Sequence, residues 1–302
     1  MVDLANRPVR PSALAAVAGS FGRDVGRGLT AIGAVVERAR ARGAALVVLP
    51  ECALGGYPAD DEDLGPDRAL ALDGPEIAHL AEIAGPTVVC AGFTEAADGG
   101  AYSAAVCVSG DGVLGHHRKV HLPPSEVDTF AAGSGFRSFD TPVGRIGMLL
   151  CYDKVFPEAA RALALDGAEI VASLAAWPTC RFEPARRVPK DRQTRQFNLL
   201  DQARAVENQV IWVSANQSGR LGRLRFMGQA KVVDAEGQVL ARTGGRAGIA
   251  LAHVDVAAAL RRARGTYSHL GDRSPASYGL AGIALRSLES PSPVPAGALP
   301  GT

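Results

Sequence analysis

The chain has 302 residues, of which 47% are hydrophobic and 21% are charged, and this composition is typical of a globular protein rather than a disordered one. Its 32 lysines and arginines balance 31 aspartates and glutamates to give a formal net charge of +1. This balance argues against a nucleic-acid-binding protein, because such proteins concentrate positive charge.

The N-terminus allows two interpretations. We expect a flexible leader over residues 1–11. The apolar stretch 13–18 is either a first β-strand or the core of a signal peptide with a small-residue cleavage site. We favour the strand, because the stretch is short for a signal peptide and is interrupted by small residues. No run in the chain approaches the roughly 20 apolar residues of a membrane-spanning helix, so we expect no membrane partner.

Strands and helices alternate along the rest of the chain. Apolar residues three and four positions apart predict an amphipathic helix over 24–42, and short continuously apolar runs predict strands that are buried on both faces. The residues 109–112 predict a hairpin turn. The further predicted helices are 75–84, 157–166 and 193–208, and the further predicted strands are 45–49, 87–93, 102–108, 113–120, 146–150, 170–174, 210–215, 229–234 and 249–255.

The order of these elements predicts one α/β domain. No internal repeat and no polar linker divides the body of the chain, so about eight to ten strands with helices outside them is the simplest architecture. We expect this domain over residues 12–280. Residues 281–302 are rich in Pro, Gly, Ser and Ala, and we expect them to form a partly disordered tail.

Two motifs near the hairpin have a functional and a structural interpretation. Residues 110–115 match the GxGxxG dinucleotide fingerprint, but no helix is predicted after them, which favours a plain turn. The histidines His116, His117 and His121 suggest a metal site. On a strand, however, His117 and His121 would stand about 13 Å apart, too far to share one ion. We therefore expect no metal.

The five cysteines are odd in number and none has CxxC spacing. This argues against a disulfide framework and favours a reducing compartment, which we expect to be the cytoplasm. Cys90 and Cys107 lie in strand runs and are expected in the core, and Cys52 is expected to point away from any pocket. Cys151 ends a buried strand before the helix at Pro157, whose N-terminus would favour the reactive thiolate. The alternative for Cys151 is a small buried hydrophobe.

Two charged residues accompany this thiol. Glu51 follows the apolar strand 45–49, where a buried carboxylate is costly unless it has a partner or a function. Lys119 lies in an otherwise strand-like run, and its simplest alternative is a solvated lysine on an edge strand. Ligands of open α/β sheets bind beyond the carboxyl ends of strands, and both Glu51 and Cys151 occupy such ends.

These residues, in this order, resemble the motifs of the nitrilase superfamily of carbon–nitrogen hydrolases, in particular its amidase and carbamoylase branch. The resemblance covers about residues 12–280 and implies a single-domain α-β-β-α sandwich. It also implies pairing of two protomers into a four-layer homodimer or a higher homo-oligomer. The motifs that carry it are Leu46-Val-Val-Leu-Pro-Glu51 with Gly56-Tyr-Pro58, Arg118-Lys-Val-His-Leu-Pro123, the segment around Glu126, and Gly147-Met-Leu-Leu-Cys-Tyr-Asp153 with Phe156-Pro-Glu158.

The resemblance implies a covalent thiol mechanism that needs no metal or organic cofactor. Cys151 would attack an amide carbonyl and Glu51 would transfer the protons. Lys119 and the backbone N–H of Tyr152 would stabilise the oxyanion, and Glu126 would orient Lys119 and the substrate. The implied reaction is hydrolysis of a small-molecule amide or N-carbamoyl bond through an acyl-cysteine, with release of ammonia or an amine.

The resemblance leaves the substrate open. Tyr152-Asp153 after the cysteine resembles the amidase branch, so a nitrilase, an acyltransferase and a non-catalytic binding protein are the alternatives. We expect Tyr57 and Trp177 to line the pocket. The basic segment 181–195 begins with Arg181, which either binds a substrate carboxylate or belongs to a solvated loop, and we favour the solvated loop.

Overall fold

The structure, a computed structural model, describes residues 11–58 and 69–279. In these ranges the chain forms 13 β-strands and six α-helices. The strands are β1 Ser12–Gly19, β2 Ala44–Val48, β3 Val88–Ala97, β4 Gly100–Ser109, β5 Gly112–Arg118, β6 Ser138–Thr141, β7 Gly144–Leu150, β8 Ile170–Ala175, β9 Ile211–Leu221, β10 Leu224–Met227, β11 Lys231–Val233, β12 Val239–Arg242 and β13 Gly248–Val254. The helices are α1 Val25–Arg40, α2 Pro75–Ala84, α3 Pro157–Leu165, α4 Arg192–Asn208, α5 Val256–Thr266 and α6 Pro275–Tyr278.

Nine strands form one hydrogen-bonded path in the order β5-β4-β3-β2-β1-β9-β8-β7-β6. The central pairs from β3 to β1 and from β9 to β7 are parallel, whereas the pairs toward both ends are antiparallel. β1 and β9 pair through only two residues of each strand, at Ala18 with Asn216 and Gly19 with Gln217. This short junction joins two half-sheets that are otherwise free to face each other.

Three apolar clusters define the layers. The first lies between the half-sheets and contains alternate residues of both, such as Leu46 of β2 and Met148 of β7. The second packs the opposite face of the first half-sheet, including Val47, against α1 and α2. The third packs Leu149 and its neighbours against α3 and the C-terminal part of α4. This layer order is the predicted α-β-β-α sandwich, and the fold class is confirmed.

Local sequence explains the first helix and the strand that follows it. The side chain of Asp24 caps α1 by accepting a hydrogen bond from the backbone N–H of Arg27. Leu29, Ile32 and Val36 lie at three- and four-residue spacing and are buried against the sheet. Each such side chain contributes about 1.5–3 kcal/mol through removal of apolar surface from water. The strand β2 is apolar on both faces because helices cover one face and the other half-sheet covers the second.

Most predicted elements are present with small shifts at their ends, and the stretch 13–18 is confirmed as a strand. The hairpin turn at residues 110–111 is also confirmed. The expectation of eight to ten strands is too low, since β6, β10 and β12 were not predicted, nor were α5 and α6. The predicted leader, except for Pro11, and the predicted tail lie outside the described residues. None of the described helices has the length and apolar character that crossing a membrane requires.

Candidate active site

A cavity of about 400 Å³ opens where several strands end, a size suited to a small molecule. Glu51, Cys151 and Ala176 lie just beyond the carboxyl ends of β2, β7 and β8. Ser103 on β4 and Lys119 just after β5 reach the same point. The fold therefore brings one thiol, one ammonium and the Glu51 carboxylate to a common edge of the sandwich.

Glu51 is completely buried and is held by donors from three directions. Its Oε1 accepts hydrogen bonds from Lys119 Nζ at 2.8 Å and from Ser103 Oγ at 3.0 Å, and its Oε2 accepts one from the backbone N–H of Ala176 at 3.0 Å. The close packing of the chain here requires glycine at Gly92, where a Cβ atom would lie 2.6 Å from the Cα of Glu51. The carboxylate is thus fixed in position, and its burial is compensated.

Lys119 lies between two carboxylates and is not the solvated edge lysine of the alternative interpretation. Its side chain is completely buried, and Nζ donates to Glu51 Oε1 at 2.8 Å and to Glu126 Oε2 at 2.7 Å. Burial opposes the charged form, but the two carboxylates outweigh burial and hold the pKa of Lys119 well above its usual value. Lys119 is therefore a permanent cation, with one of its three donor positions not used by these carboxylates.

Glu126 connects Lys119 to the wall of the cavity. Its Oε1 accepts a hydrogen bond from the hydroxyl of Tyr57 at 2.6 Å, and its Oε2 accepts the bond from Lys119. Burial raises the pKa of Glu126, and the ammonium of Lys119 partly offsets this effect. Both Glu126 and Tyr57 line the cavity, so a substrate bound there contacts a carboxyl group whose orientation is fixed.

Cys151 stands at a sharp turn. Its backbone has φ of +44°, in the left-handed region that non-glycine residues seldom adopt, and it opens the short 3-10 turn Cys151–Val155. The side chain of Asp153 closes this turn by accepting the backbone N–H of Leu150 at 3.2 Å. The thiol lines the cavity and faces the backbone N–H of Ala176, which also binds Glu51, so Cys151 and Glu51 are neighbours.

The surroundings of Cys151 do not favour the thiolate that a helix N-terminus was expected to promote. Burial raises the pKa of the Cys151 thiol well above its usual value, the Glu51 carboxylate raises it further, and Lys119 only partly opposes them. The helix α3 begins only at Pro157, so the 3-10 turn Cys151–Val155 lies between the thiol and the helix N-terminus. A thiol in this state needs a base to become a nucleophile, and Glu51 is the fixed carboxylate beside it.

The predicted substrate-binding residues also meet at this cavity. Tyr57, Trp177 and Arg181 all line it, together with Tyr152. The indole N–H of Trp177 donates to Gln193 Oε1 at 2.7 Å, which fixes the orientation of the ring. The role of the Tyr152 backbone N–H as an oxyanion donor stays a prediction.

Comparison with known proteins gives the family. Residues 13–263 match the family model of carbon–nitrogen hydrolases. The chain belongs to the carbon–nitrogen hydrolase family. It is 32% identical over 210 residues to a nitrilase of Pyrococcus abyssi, which covers 68% of this chain and 74% of that protein. It is 30% identical over 243 residues to an omega-amidase of Mus musculus, which covers 76% of this chain and 83% of that protein.

Solved structures agree with this assignment. A carbon–nitrogen hydrolase of Helicobacter pylori superposes with a TM-score of 0.79 at 24% identity, covering 90% of this chain and 98% of that one. An amidase of a Nesterenkonia species superposes with a TM-score of 0.72 at 23% identity, and the superposition covers 92% of this chain and 99% of that one. The predicted family, fold and enzyme class are confirmed, and this carbon–nitrogen hydrolase is an enzyme.

The histidines of the hydrolase are closer together than the strand geometry predicted. His117 Nε2 and His121 Nδ1 lie 3.2 and 2.9 Å from the two carboxylate oxygens of Asp153, and both rings stack on Phe136. The distance prediction is wrong because β5 ends at Arg118 and the extended geometry does not continue to His121. Within the described ranges, no group of three or more His, Cys, Asp and Glu residues could hold a metal ion.

The sequence analysis missed a second buried lysine cluster in this hydrolase. Asp201 accepts hydrogen bonds from Lys154 at 2.8 Å, from Lys231, and from the indole N–H of Trp212 at 2.9 Å. Lys154 Nζ also lies 3.1 Å from the centroid of the Phe197 ring. Lys231 interrupts an apolar strand run, and this is the feature of the sequence that could have indicated a buried lysine. Ser103, the partner of Glu51, was missed as well.

The remaining cysteines are all buried and free. Cys90 and Cys107 face each other across β3 and β4 in the central core, as predicted. Cys52 is not among the residues that line the cavity, and burial raises the pKa of its thiol well above the usual value. Cys180 does line the cavity, with Arg192 Nη2 at 3.6 Å from its sulfur.

Proposed function

We propose that this carbon–nitrogen hydrolase is a thiol amidohydrolase that cleaves a small-molecule amide or N-carbamoyl bond. The observation that carries the proposal is the arrangement around Ala176, whose backbone N–H faces both Glu51 and the Cys151 thiol. Lys119 binds the same Glu51 carboxylate at 2.8 Å. The nucleophile that lines the cavity therefore has a buried base beside it, and a buried cation is paired with that base.

The first half of the reaction forms the acyl-enzyme. Glu51 accepts the thiol proton while Cys151 Sγ bonds to the carbonyl carbon of the substrate. Lys119 and the backbone N–H of Tyr152 stabilise the resulting oxyanion, each such donor being worth roughly 10²–10³ in rate. The C–N bond then breaks, and the leaving nitrogen takes the proton from Glu51 and departs as ammonia or an amine.

The second half consumes water. Glu51, again a carboxylate, accepts a proton from a water molecule as the water oxygen bonds to the thioester carbon. The C–S bond breaks, the sulfur recovers the proton, and the carboxylic acid leaves. Lys119 again balances the negative charge of the tetrahedral intermediate, held in place by Glu126.

Nitrile hydrolysis is the second candidate, since the relative from Pyrococcus abyssi is named a nitrilase. We rank it below amide hydrolysis because Tyr152-Asp153 resembles the amidase branch and because the relative from Mus musculus is named an omega-amidase. Acyl transfer uses the same acyl-enzyme as hydrolysis. It differs only in that an amine, instead of water, accepts the acyl group from Cys151.

The experiment is an ammonia-release assay over amides, N-carbamoyl compounds and nitriles. We expect the wild-type enzyme to hydrolyse at least one amide or N-carbamoyl compound and the Cys151→Ala variant to lose turnover. The matched control is Cys107→Ala, a buried cysteine of the central core, which should keep its activity. Activity in Cys151→Ala would exclude the mechanism, and a product that forms only with an added amine would indicate a transferase.

The proposal extends to assembly and location. Leu199 and Val206, seven residues apart on α4, and Leu165 at the end of α3 expose apolar side chains on helices that cover one half-sheet. They support a homodimer or higher homo-oligomer, which light scattering of the purified protein would test. The five free cysteines support a reducing compartment, the cytoplasm, which cell fractionation would test.

A further inference from the structure

A loop at the mouth of the cavity is organised by one buried carboxylate. Asp191 accepts hydrogen bonds from the backbone N–H groups of Cys180 at 3.1 Å and Ala185 at 3.4 Å, before the helix α4. Asp191 also caps α4, because it accepts hydrogen bonds from the backbone N–H groups of Gln193 at 2.9 Å and Thr194 at 3.3 Å. The two ends of the loop are therefore fastened to the same side chain.

Two arginines lie next to the residues that Asp191 binds. Arg181 follows Cys180 and Arg192 precedes Gln193, so each is adjacent to a residue that binds Asp191. Both arginines line the cavity that contains Cys151. Asp191 itself is buried and directed at backbone N–H groups, so it leaves the guanidinium groups available for a ligand.

The charged side chains that line the cavity are unbalanced among the residues that the structure describes. Among the described residues that line the cavity, Glu126 is the only carboxylate, and both its oxygens already accept hydrogen bonds from Tyr57 and Lys119. No carboxylate of the described residues forms an ion pair with Arg181 or Arg192. Among the described residues that line the cavity, basic side chains therefore outnumber acidic ones, which favours an anionic group beside Arg181 and Arg192.

We propose that Arg181 and Arg192 form a carboxylate-binding subsite, so that the substrate is a small amide carrying a second, negatively charged carboxylate group. Guanidinium groups bind carboxylates through paired, charge-assisted hydrogen bonds. The same cavity is lined by the apolar side chains of Trp177, Pro178 and Leu224, which suit an aliphatic segment joining the two polar ends of such a substrate. This inference rests on the proposed amidohydrolase function.

The carboxylate can lie on either side of the scissile bond. On the acyl side the substrate is a monoamide of a dicarboxylic acid, and on the amine side it is an N-carbamoyl or N-acyl amino acid. The experiment therefore compares both series with neutral amides of the same length, in which a methyl group replaces the carboxylate, and with cationic amides, in which an amine replaces it.

The kinetic arm uses Arg181→Gln, Arg192→Gln and the double variant. We expect kcat/KM for the preferred carboxylate-bearing amide to fall about tenfold to a hundredfold in the double variant, mainly through KM, while the neutral amides change little. The matched controls are Arg186→Gln and Arg187→Gln, which remove exposed arginines of the same loop that do not line the cavity. These controls should behave like the wild type with both substrate series.

The binding arm does not depend on turnover. The Cys151→Ala variant, in which the proposed nucleophile is absent, is titrated calorimetrically with the carboxylate-bearing and neutral amides at two salt concentrations. We expect tighter binding of the carboxylate-bearing amide, weakening with salt, and loss of this preference when both arginines are replaced.

Equal binding and turnover of the two series in wild type and double variant would overturn the subsite and leave the amidohydrolase intact. A preference for cationic amides would overturn it as well. If Cys151→Ala keeps the wild-type rate of ammonia release, the proposed thiol mechanism is rejected. The subsite is then tested by the calorimetric preference for carboxylate-bearing amides alone.

Discussion

Two buried lysine clusters lie close to the same cavity and have opposite charge balances. In the first, Lys119 contacts two carboxylates, Glu51 and Glu126, and Glu126 lines the cavity. In the second, Lys154 and Lys231 share a single carboxylate, and none of the three residues lines the cavity. The second cluster lies behind the wall, where Lys154 is 5.3 Å from the centroid of the Trp177 ring.

The two clusters differ in the pKa of their lysines although both are buried. Burial opposes the charged form in both clusters. The pKa of Lys119 is nevertheless raised by its two carboxylates, whereas burial and the nearby Lys231 ammonium together lower the pKa of Lys154 to about 8 against the attraction of Asp201. An excess of carboxylate beside a thiol provides a site for a mobile proton. The second cluster has an excess of ammonium packed on aromatic rings, and it has no nucleophile within it and no residue that lines the cavity. The neighbours of a buried lysine, rather than its burial, distinguish a reactive group from a structural one.

The largest expected effect comes from removing proton transfer in the first cluster. Glu51→Gln keeps the size of the side chain but cannot accept the thiol proton, so kcat should fall about 10⁴- to 10⁶-fold. Single-turnover and steady-state ammonia release would measure the loss, with circular dichroism to verify the fold. Glu158→Gln, an exposed carboxylate in the first turn of α3, is the control and should retain full activity. A decrease of less than tenfold in Glu51→Gln would assign the base to another group.

The second effect concerns the other cluster and should appear in stability. Asp201→Asn leaves the ammonium groups of Lys154 and Lys231 buried without a counter-charge, so we expect a loss of about 3–5 kcal/mol in the free energy of unfolding. Denaturant titration would measure it. The control is Asp140→Asn, which removes an exposed carboxylate 3.2 Å from Arg145 and should cost about 1 kcal/mol or less. Equal losses in the two variants would show that the buried cluster has no special energetic role.

The sequence predicted the reactive cluster better than the supporting one for a physical reason. Glu51, Lys119 and Cys151 each stand out from an apolar run, so each signals its own burial before any fold is known. Asp201 lies on a helix with much polar sequence, and nothing local distinguishes it. Its partner Lys154 is 47 residues away, and only the packing of α4 on the turn after β7 brings the two together.

Other differences have the same origin in long-range contacts. The strand β12 alternates between partly buried and exposed residues and is short, so it depends on pairing with β11 rather than on its own apolar pattern. The separation predicted for His117 and His121 assumed an extended chain beyond Arg118. There, Glu95 holds Arg118 through two hydrogen bonds of 2.8 Å and the strand ends. Local periodicity carries no information about such anchoring.

The smallest effect is a pH dependence that distinguishes Lys154 from an ordinary lysine. The pKa of Lys154 is about 8 in the folded protein, against 10.5 for an unperturbed lysine, so between these values the unfolded chain binds more protons and wild-type stability rises with pH. Lys154→Met leaves Asp201 paired with Lys231, so it should be within about 1 kcal/mol of wild type at pH 7. It should lack the part of the rise that Lys154 contributes, which is at most about 3 kcal/mol, and keep only the rise from Lys231, whose pKa burial also lowers. Denaturant titrations from pH 7 to 10.5 would measure this difference, with the exposed Lys190→Met variant expected to follow wild type. Parallel curves for Lys154→Met and wild type would mean that the pKa of Lys154 is not lowered, and the contrast with Lys119 would then rest on geometry alone.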